Sequence, residues 1–214
     1  MGQIVITGGN QEIGLFLAKM HLKKQDEVWI CIKYIGIEFM QLASDNPDHI
    51  HLCRCDTGDT KSVRETFQFI GRHTDKIDVL YNLPSEEKET DSLGLADMKQ
   101  CITIYNANAL GILRIFQQSA PLVSKGTVFI NALVEYKSTE RECYGYGMAN
   151  AAVILASKNY FNEYQEKGMY LFCVCIENAE RDTLTPENNT DKIVAKIIEI
   201  VENPENFPNG QVID

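Results

Sequence analysis

The sequence lacks most of the features that would take it out of the ordinary globular class. Its longest apolar run, around Tyr170–Ile176, falls far below the roughly 20 residues that a spanning helix needs, so no membrane segment is expected. It opens MGQIVITGG, without a basic stretch or a long apolar core, and position 6 is Ile rather than Ser or Thr. Neither an export leader nor a myristoylation signal is expected, and a cytoplasmic protein is. No run of five or more basic residues occurs, and acids outnumber bases 30 to 20 for a net charge of −10. A surface of that sign repels phosphate backbones, which argues against nucleic acid and anionic membranes as partners. No repeat, low-complexity tract or Pro/Gly/Ser linker divides the chain, so one domain over residues 1–214 is expected. The seven cysteines are an odd number without an export signal and read as reduced, mostly buried thiols. Four of the potential metal ligands, His49, His51, Cys53 and Cys55, alternate along one apolar segment. Residues two apart in a strand rise roughly 6.6 Å, so these cannot converge on one ion, and no metal site is expected.

What is present is an alternation of two periods. Short segments rich in Val and Ile, at 3–7, 27–32, 49–54, 77–81, 127–131, 169–175 and 211–213, read as strands. Helical patterns at 12–24, 37–43, 60–73, Leu95–Leu122, Tyr144–Lys167 and 190–202 separate them. Strands apolar on both faces alternating with helices predict a Rossmann-type α/β fold: a doubly wound parallel sheet with helices on both faces. At 214 residues the chain buries enough surface to need no disulfide or metal.

The first strand runs directly into Thr7-Gly8-Gly9-Asn10-Gln11-Glu12-Ile13-Gly14 and a helix. Glycines at such a turn let a pyrophosphate approach backbone N–H groups at a positive helix end. Further on come Cys55-Asp56-Thr57, Asp78-Val79-Leu80-Tyr81-Asn82, Ala107-Asn108-Ala109-Leu110-Gly111, Tyr146-Gly147-Met148-Ala149-Asn150 and the closing Asn209–Asp214. In this order and spacing the whole chain resembles the short-chain dehydrogenase/reductase family. The resemblance implies a nicotinamide dinucleotide held by Gly8, Ile13, Gly14, Asp56, Thr57 and Asn82. It implies Tyr146 as general acid and Asn108 as the residue that holds a relay water.

The departures from that pattern decide the expected function. Asn150 stands where the family carries the Lys whose ammonium lowers the Tyr pKa, and an amide leaves a phenol near its reference value of about 10. The family's catalytic Ser falls on Leu133 or Val134, with Ser138 as the nearest substitute. Glu12 replaces the second glycine of the turn and sets a carboxylate toward the phosphates. That carboxylate also suits the positive end of the helix it opens. Lys33 replaces the acid that grips a ribose 2′-hydroxyl, so any cofactor is expected to be NADP(H) rather than NAD(H), although Lys33 also reads as an ordinary solvated strand-end lysine. The family's Pro-Gly-x-x-x-Thr appears as Asn178-Ala179-Glu180-Arg181-Asp182-Thr183, with about seven residues, Leu184 to Thr190, where a longer lid is usual. The leading expectation is a non-catalytic relative, without bound cofactor, that acts as a scaffold, heteromeric partner or metabolite binder. The alternative is an atypical NADPH-dependent carbonyl reductase using Tyr146 and Asn108. A homodimer or heteromer is expected through Leu95–Leu122 and Tyr144–Lys167, the helices by which the family dimerises. The first carries a stripe of Ile102, Tyr105, Ala109, Ile112, Leu113 and Phe116, with further apolar residues at Ile104, Ala107, Leu110 and Ile115. The second carries Ala149, Ala152, Val153, Ala156, Tyr160 and Tyr164 on its stripe, and Ala151, Ile154, Leu155 and Phe161 off it.

Overall fold

The computed structural model describes residues 1–8, 12–84, 97–136, 144–178 and 186–213. Seven parallel strands, β1 (Gln3–Thr7), β2 (Glu27–Ile32), β3 (Ile50–Arg54), β4 (Ile77–Asn82), β5 (Val123–Tyr136), β6 (Tyr170–Asn178) and β7 (Val212–Ile213), form one sheet. Their order is β3-β2-β1-β4-β5-β6-β7. The chain winds outward from β1 to one edge, returns, and winds from β4 to the other edge. Both faces are covered, as the unbroken apolar strands require. Ile4, Ile6, Ile30 and Phe172 face one core with Leu17 of α1 (Glu12–Lys23), Phe39 of α2 (Ile37–Asp45) and Ile197 of α7 (Pro186–Glu202). Val5, Trp29, Leu80 and Phe129 face the other, with Phe67 of α3 (Thr60–Ile70) and Tyr160 of α6 (Tyr144–Tyr164). This is the doubly wound fold that the alternation predicts.

Three boundaries differ from the sequence reading. β5 runs on to Tyr136 instead of stopping at Asn131, because its pairing with β6 continues in register from Val128↔Tyr170 to Tyr136↔Asn178. α7 opens at Pro186 rather than Thr190, with Pro in the first turn, where a missing N–H costs no helix bond. The helix expected over Leu95–Leu122 is not one regular α-helix. α4 (Met98–Tyr105) passes into five residues of π-helix, Asn106–Leu110, before α5 (Gly111–Ser119) and a short 3₁₀ turn, Ala120–Leu122. Residues 95 and 96 lie outside the described residues.

The expected apolar stripe holds only in part. Ala109, Ile112 and Phe116 are buried as expected, but Ile102, Tyr105 and Leu113 are exposed, whereas Ile104, Ala107 and Ile115, expected off the stripe, are buried. A π turn inserts extra residues into the 3.6-residue period, so a stripe counted straight through it goes out of phase. α6 has no such interruption: on its stripe Ala149, Val153 and Tyr160 are buried and Ala152, Ala156 and Tyr164 half-buried, while off it Ala151, Ile154 and Leu155 are exposed and Phe161 is half-buried. α6 lies close against α4 at Gly145, where a Cβ would stand 3.2 Å from Ile104 Cδ1 and 3.5 Å from the Cys101 backbone.

A buried polar cluster ties α1 to β4. Tyr81 Oη lies 2.8 Å from His21 Nε2, and His21 Nδ1 lies 2.8 Å from Asp26 Oδ2. Asp26 Oδ1 in turn accepts from the Gly2 backbone N–H at 2.7 Å. Burial holds the His21 pKa below its ordinary value, against the opposing pull of the Asp26 carboxylate.

Candidate functional site

In a sheet of this kind ligands bind beyond the carboxyl ends of the strands where the winding direction reverses, here between β1 and β4. Thr7 and Asn82 are register partners at those two ends, and both are buried. A directional chain of hydrogen bonds fixes them. Thr7 Oγ1 donates to Asn82 Oδ1 at 2.9 Å, Asn82 Nδ2 donates to Asn131 Oδ1 at 2.6 Å, and Asn131 Nδ2 donates to Ser157 Oγ at 2.8 Å. Every member is buried, so the chain satisfies groups that would otherwise cost about 1–3 kcal/mol each. At its far end the Cys173 thiol is pushed up by burial and eased down by hydrogen bonds with Ser157 and Asn131. The sequence reading placed Asn82 at the cofactor; the structure places its side chain in this network and also on the wall of the adjoining cavity.

That cavity, of about 20 Å³, collects Tyr146, Asn108, Asn150, Thr57 and Asn82, with Ala132 contributed by β5. Its volume is close to what one water needs. Tyr146 and Asn150 are four residues apart on α6 and therefore share a face. Asn108 enters from the middle of the π turn. Among the described residues no charged one lines the cavity, and besides the Tyr146 phenol the only hydroxyl among them is that of Thr57. At the position expected for a catalytic Ser, Leu133 is buried in the core behind the sheet, and Val134 pairs its backbone with Ile176. The β5 residue that reaches the cavity is Ala132, which the sequence reading did not single out; its methyl donates no hydrogen bond either. Ser138, residues 179–183 and the first two residues, 184–185, of the expected lid region 184–190 lie outside the described residues, and residues 186–190 of that region belong to α7.

The phosphate end of the crevice is built around Gly8, at φ +69°. A Cβ there would sit 2.0 Å from the Leu83 carbonyl oxygen, so only glycine lets β4's exit pass over the turn. Residues 9–11 lie outside the described residues; beyond them Glu12 is exposed in the first turn of α1, and Ile13 and Gly14 are buried beneath it. Around the ends of β2 and β3 lies a wider cleft of about 340 Å³, lined by Lys33, Tyr34, Arg54, Lys61 and Ser62 and by the carboxylates of Asp56, Asp59 and Glu65. Lys33 Nζ stands 3.2 Å from Asp56 Oδ2, and Asp56 Oδ1 accepts from the Gly58 N–H at 2.9 Å. Lys33 is thus an ion-paired wall of a cleft rather than a freely solvated lysine. Arg54 and Lys61, absent from the sequence-based site, join it because the register of β3 and the first turn of α3 turn them to the same opening. The structure therefore separates the predicted residues into two groups. Thr57, Asn82, Asn108 and Tyr146 meet in the small cavity, and Lys33 and Asp56 meet in the wide cleft.

Below that cleft the thiols of Cys31 and Cys53, register partners on β2 and β3, interact with each other. The nearby Cys55 thiol is pushed up to about 11 by burial, which suits a core residue rather than a nucleophile. Among the described residues no group of three or more His, Cys, Asp or Glu is placed to hold a metal ion, and no helix is long and apolar enough to cross a membrane.

Known proteins match this architecture from end to end. The model of the short chain dehydrogenase family matches residues 3–192. An uncharacterized oxidoreductase of Schizosaccharomyces pombe is 25% identical over 177 residues, spanning 79% of this chain and 70% of that protein. The chloroplastic chlorophyll(ide) b reductase NOL of Arabidopsis thaliana is 26% identical over 172 residues, 76% of this chain and 49% of its own length. Among solved structures, an NADPH-bound carbonyl reductase from chicken fatty liver superposes with a TM-score of 0.83 at 17% identity, over 99% of this chain and 95% of that one. A short chain dehydrogenase from Burkholderia cenocepacia in complex with NADP does so with a TM-score of 0.85 at 14% identity and the same coverage. With the sheet order, the reversal point and the family match in agreement, this chain belongs to the short-chain dehydrogenase/reductase family.

Proposed function

We propose that this chain is an NADP(H)-binding member of its family that does not carry out ordinary carbonyl reduction, and that it acts as a metabolite-binding or scaffold protein. The observation that carries the reading is the cavity where Tyr146 and Asn108 meet, which is completed by Asn150 and Ala132 and holds no charged side chain. A cation about 4 Å from a phenolate is worth about 4 kcal/mol at an effective dielectric of about 20. That corresponds to about three pKa units. Without it, a tyrosine at this place gives and takes protons near pH 7 far less readily, and among the described residues the one that β5 adds to the cavity wall, Ala132, has no donor to polarise a carbonyl.

The residues present fit NADP(H) at one end. Lys33, Arg54 and Lys61 around the wide cleft offer cations to the ribose 2′-phosphate, which would compete for them with Asp56, Asp59 and Glu65 of the same cleft, and Asp56 suits the adenine. This replaces the expectation of no cofactor at all, and the NADP(H)-bound neighbours support the replacement. At the other end the small cavity is lined by Tyr146, Asn108, Asn150 and Thr57, and a nicotinamide bound in the family manner would supply a hydride beside them.

The second reading is an atypical NADPH-dependent carbonyl reductase, favoured by the convergence of Tyr146, Asn108 and the Thr57 hydroxyl on one cavity. Calorimetric titration with NADPH and NADH, followed by NADPH oxidation over an aldehyde and ketone panel, separates the two. The first reading expects micromolar NADPH binding, at least tenfold weaker NADH binding, no turnover, and no effect of Tyr146→Phe. Turnover that Tyr146→Phe abolishes gives the case to the reductase, and a chain that binds neither nucleotide refutes both.

A further inference from the structure

A single guanidinium joins the two halves of the crevice. Arg114, on α5, donates through Nη1 to the Thr57 carbonyl at 3.0 Å and to the Asn106 carbonyl at 3.0 Å. Its Nη2 donates to Asn106 Oδ1 at 2.8 Å, and its Nε to Thr60 Oγ1 at 2.9 Å. Asn106 returns across the same gap, its Nδ2 donating to the Gly58 carbonyl at 2.9 Å. The segment so held, Thr57–Thr60, follows Asp56 of the wide cleft and carries Thr57 of the small cavity. The other partner, Asn106, is the first residue of the π turn that presents Asn108.

A π turn is strained relative to the α-helix that could replace it, and it persists where its surroundings hold it. Reversion to α-helical winding would change the phase by one residue, roughly 100° of rotation, and carry Asn108 away from Tyr146. Two features oppose that reversion. Arg114 engages both the carbonyl and the side chain of Asn106 with a rigid fork that an ammonium does not reproduce. Gly111 closes the turn against Thr57, where a Cβ would come within 3.0 Å of Thr57 Cβ.

We propose that Arg114 is a positioning residue: through Asn106 it locks the π turn that aims Asn108 and couples it to the Asp56–Thr60 segment of the nucleotide cleft. Ordering of one end of the crevice is thereby felt at the other. The functional consequence rests on the NADP(H) reading; the coupling itself does not.

Amide hydrogen exchange on the full chain tests the coupling, and NADPH calorimetry tests its consequence. Arg114→Met should speed exchange at least tenfold in both 57–60 and 106–111, leave the β1 and β5 amides as in wild type, and weaken NADPH at least fivefold. Arg114→Lys keeps the stem and the charge, so it should restore thermal stability but neither the exchange protection nor the affinity; a merely structural role would be rescued in all three. Asn106→Ala should reproduce the Met phenotype, and the double variant should add nothing further. The Asn106→Ala variant carries the same expectation should Arg114→Met fail to fold. Unchanged exchange at 106–111, full rescue by Lys, or an additive double variant each overturns the proposal. Exchange that changes as expected in a protein that ignores NADPH upholds the coupling and refutes only the NADP(H) reading.

Discussion

Under the proposed NADP(H) reading, Glu12 and Lys33 act on the same ligand with opposite sign. The Glu12 carboxylate stands in the first turn of α1, where a dinucleotide's phosphates approach, while Lys33 lines the cleft for a 2′-phosphate. Glu12→Gly is expected to tighten NADPH about tenfold, about 1.4 kcal/mol, by removing a like-charge contact. Lys33→Ala should weaken NADPH by a similar factor and leave NADH unchanged, and calorimetry on the two variants reads both effects. Equal losses for NADPH and NADH would place Lys33 away from the 2′-phosphate. These residues were legible in the sequence because each stands at a fixed step from a strand end or a glycine. Asn150 was legible for the same reason, four residues after Tyr146. Ala132 and Arg114 were not, since which β5 side chain meets the cavity depends on strand register, and the role of Arg114 depends on a segment 57 residues away. Asn150→Lys alone is expected to create no turnover in the carbonyl panel, because Ala132 still offers no donor on β5.

Among the elements, the tie between α1 and β4 has a defined pH signature. His21 is buried and neutral in the folded chain, between the Asp26 carboxylate and the Tyr81 hydroxyl, with Lys24 and Glu202 as further charges nearby. Its folded pKa lies below the unfolded value of about 6.5, so as pH falls through that value the unfolded chain takes up the proton first. Stability from this site is therefore full above about pH 6.5 and declines as pH falls toward the lower folded pKa. Urea midpoints should fall between pH 7.5 and 5, and the fall should be smaller in His21→Gln. An identical fall in the variant would assign the effect to other groups. Tyr81→Phe leaves His21 Nε2 without its partner and should cost about 1–3 kcal/mol at pH 7.5. At this scale the sequence was read best where its period is unbroken. α6 buries Ala149, Val153 and Tyr160 as expected of it, but the stripe drawn across Leu95–Leu122 held only at Ala109, Ile112 and Phe116, because the π turn leaves no mark in the pattern of apolar positions.

For the whole molecule, the exposed outer faces of α4–α5 and α6 bear on assembly. Ile102, Leu113, Met148 and Leu155 are 67%, 48%, 51% and 60% exposed, on helices that already pack together at Gly145. Scattered apolar side chains are normal on a surface, but four large ones on three neighbouring helices, α4, α5 and α6, offer apolar surface of the kind that marks an interface. We propose that a second copy of the chain covers it. A two-fold axis would set the same helices against themselves, so each residue of the patch serves both partners. The charge of the chain works against such a dimer: each copy carries −10, and that repulsion is screened over about 10 Å at 0.1 M salt. Light scattering at micromolar protein should therefore give the mass of two chains, with the dimer strengthened from 20 to 200 mM salt. Ile102→Glu with Leu155→Glu places two carboxylates per chain inside the buried patch and should give the mass of one chain with the far-UV spectrum preserved. A wild-type chain that stays single at both salt concentrations would rule out a second copy as the partner for this face.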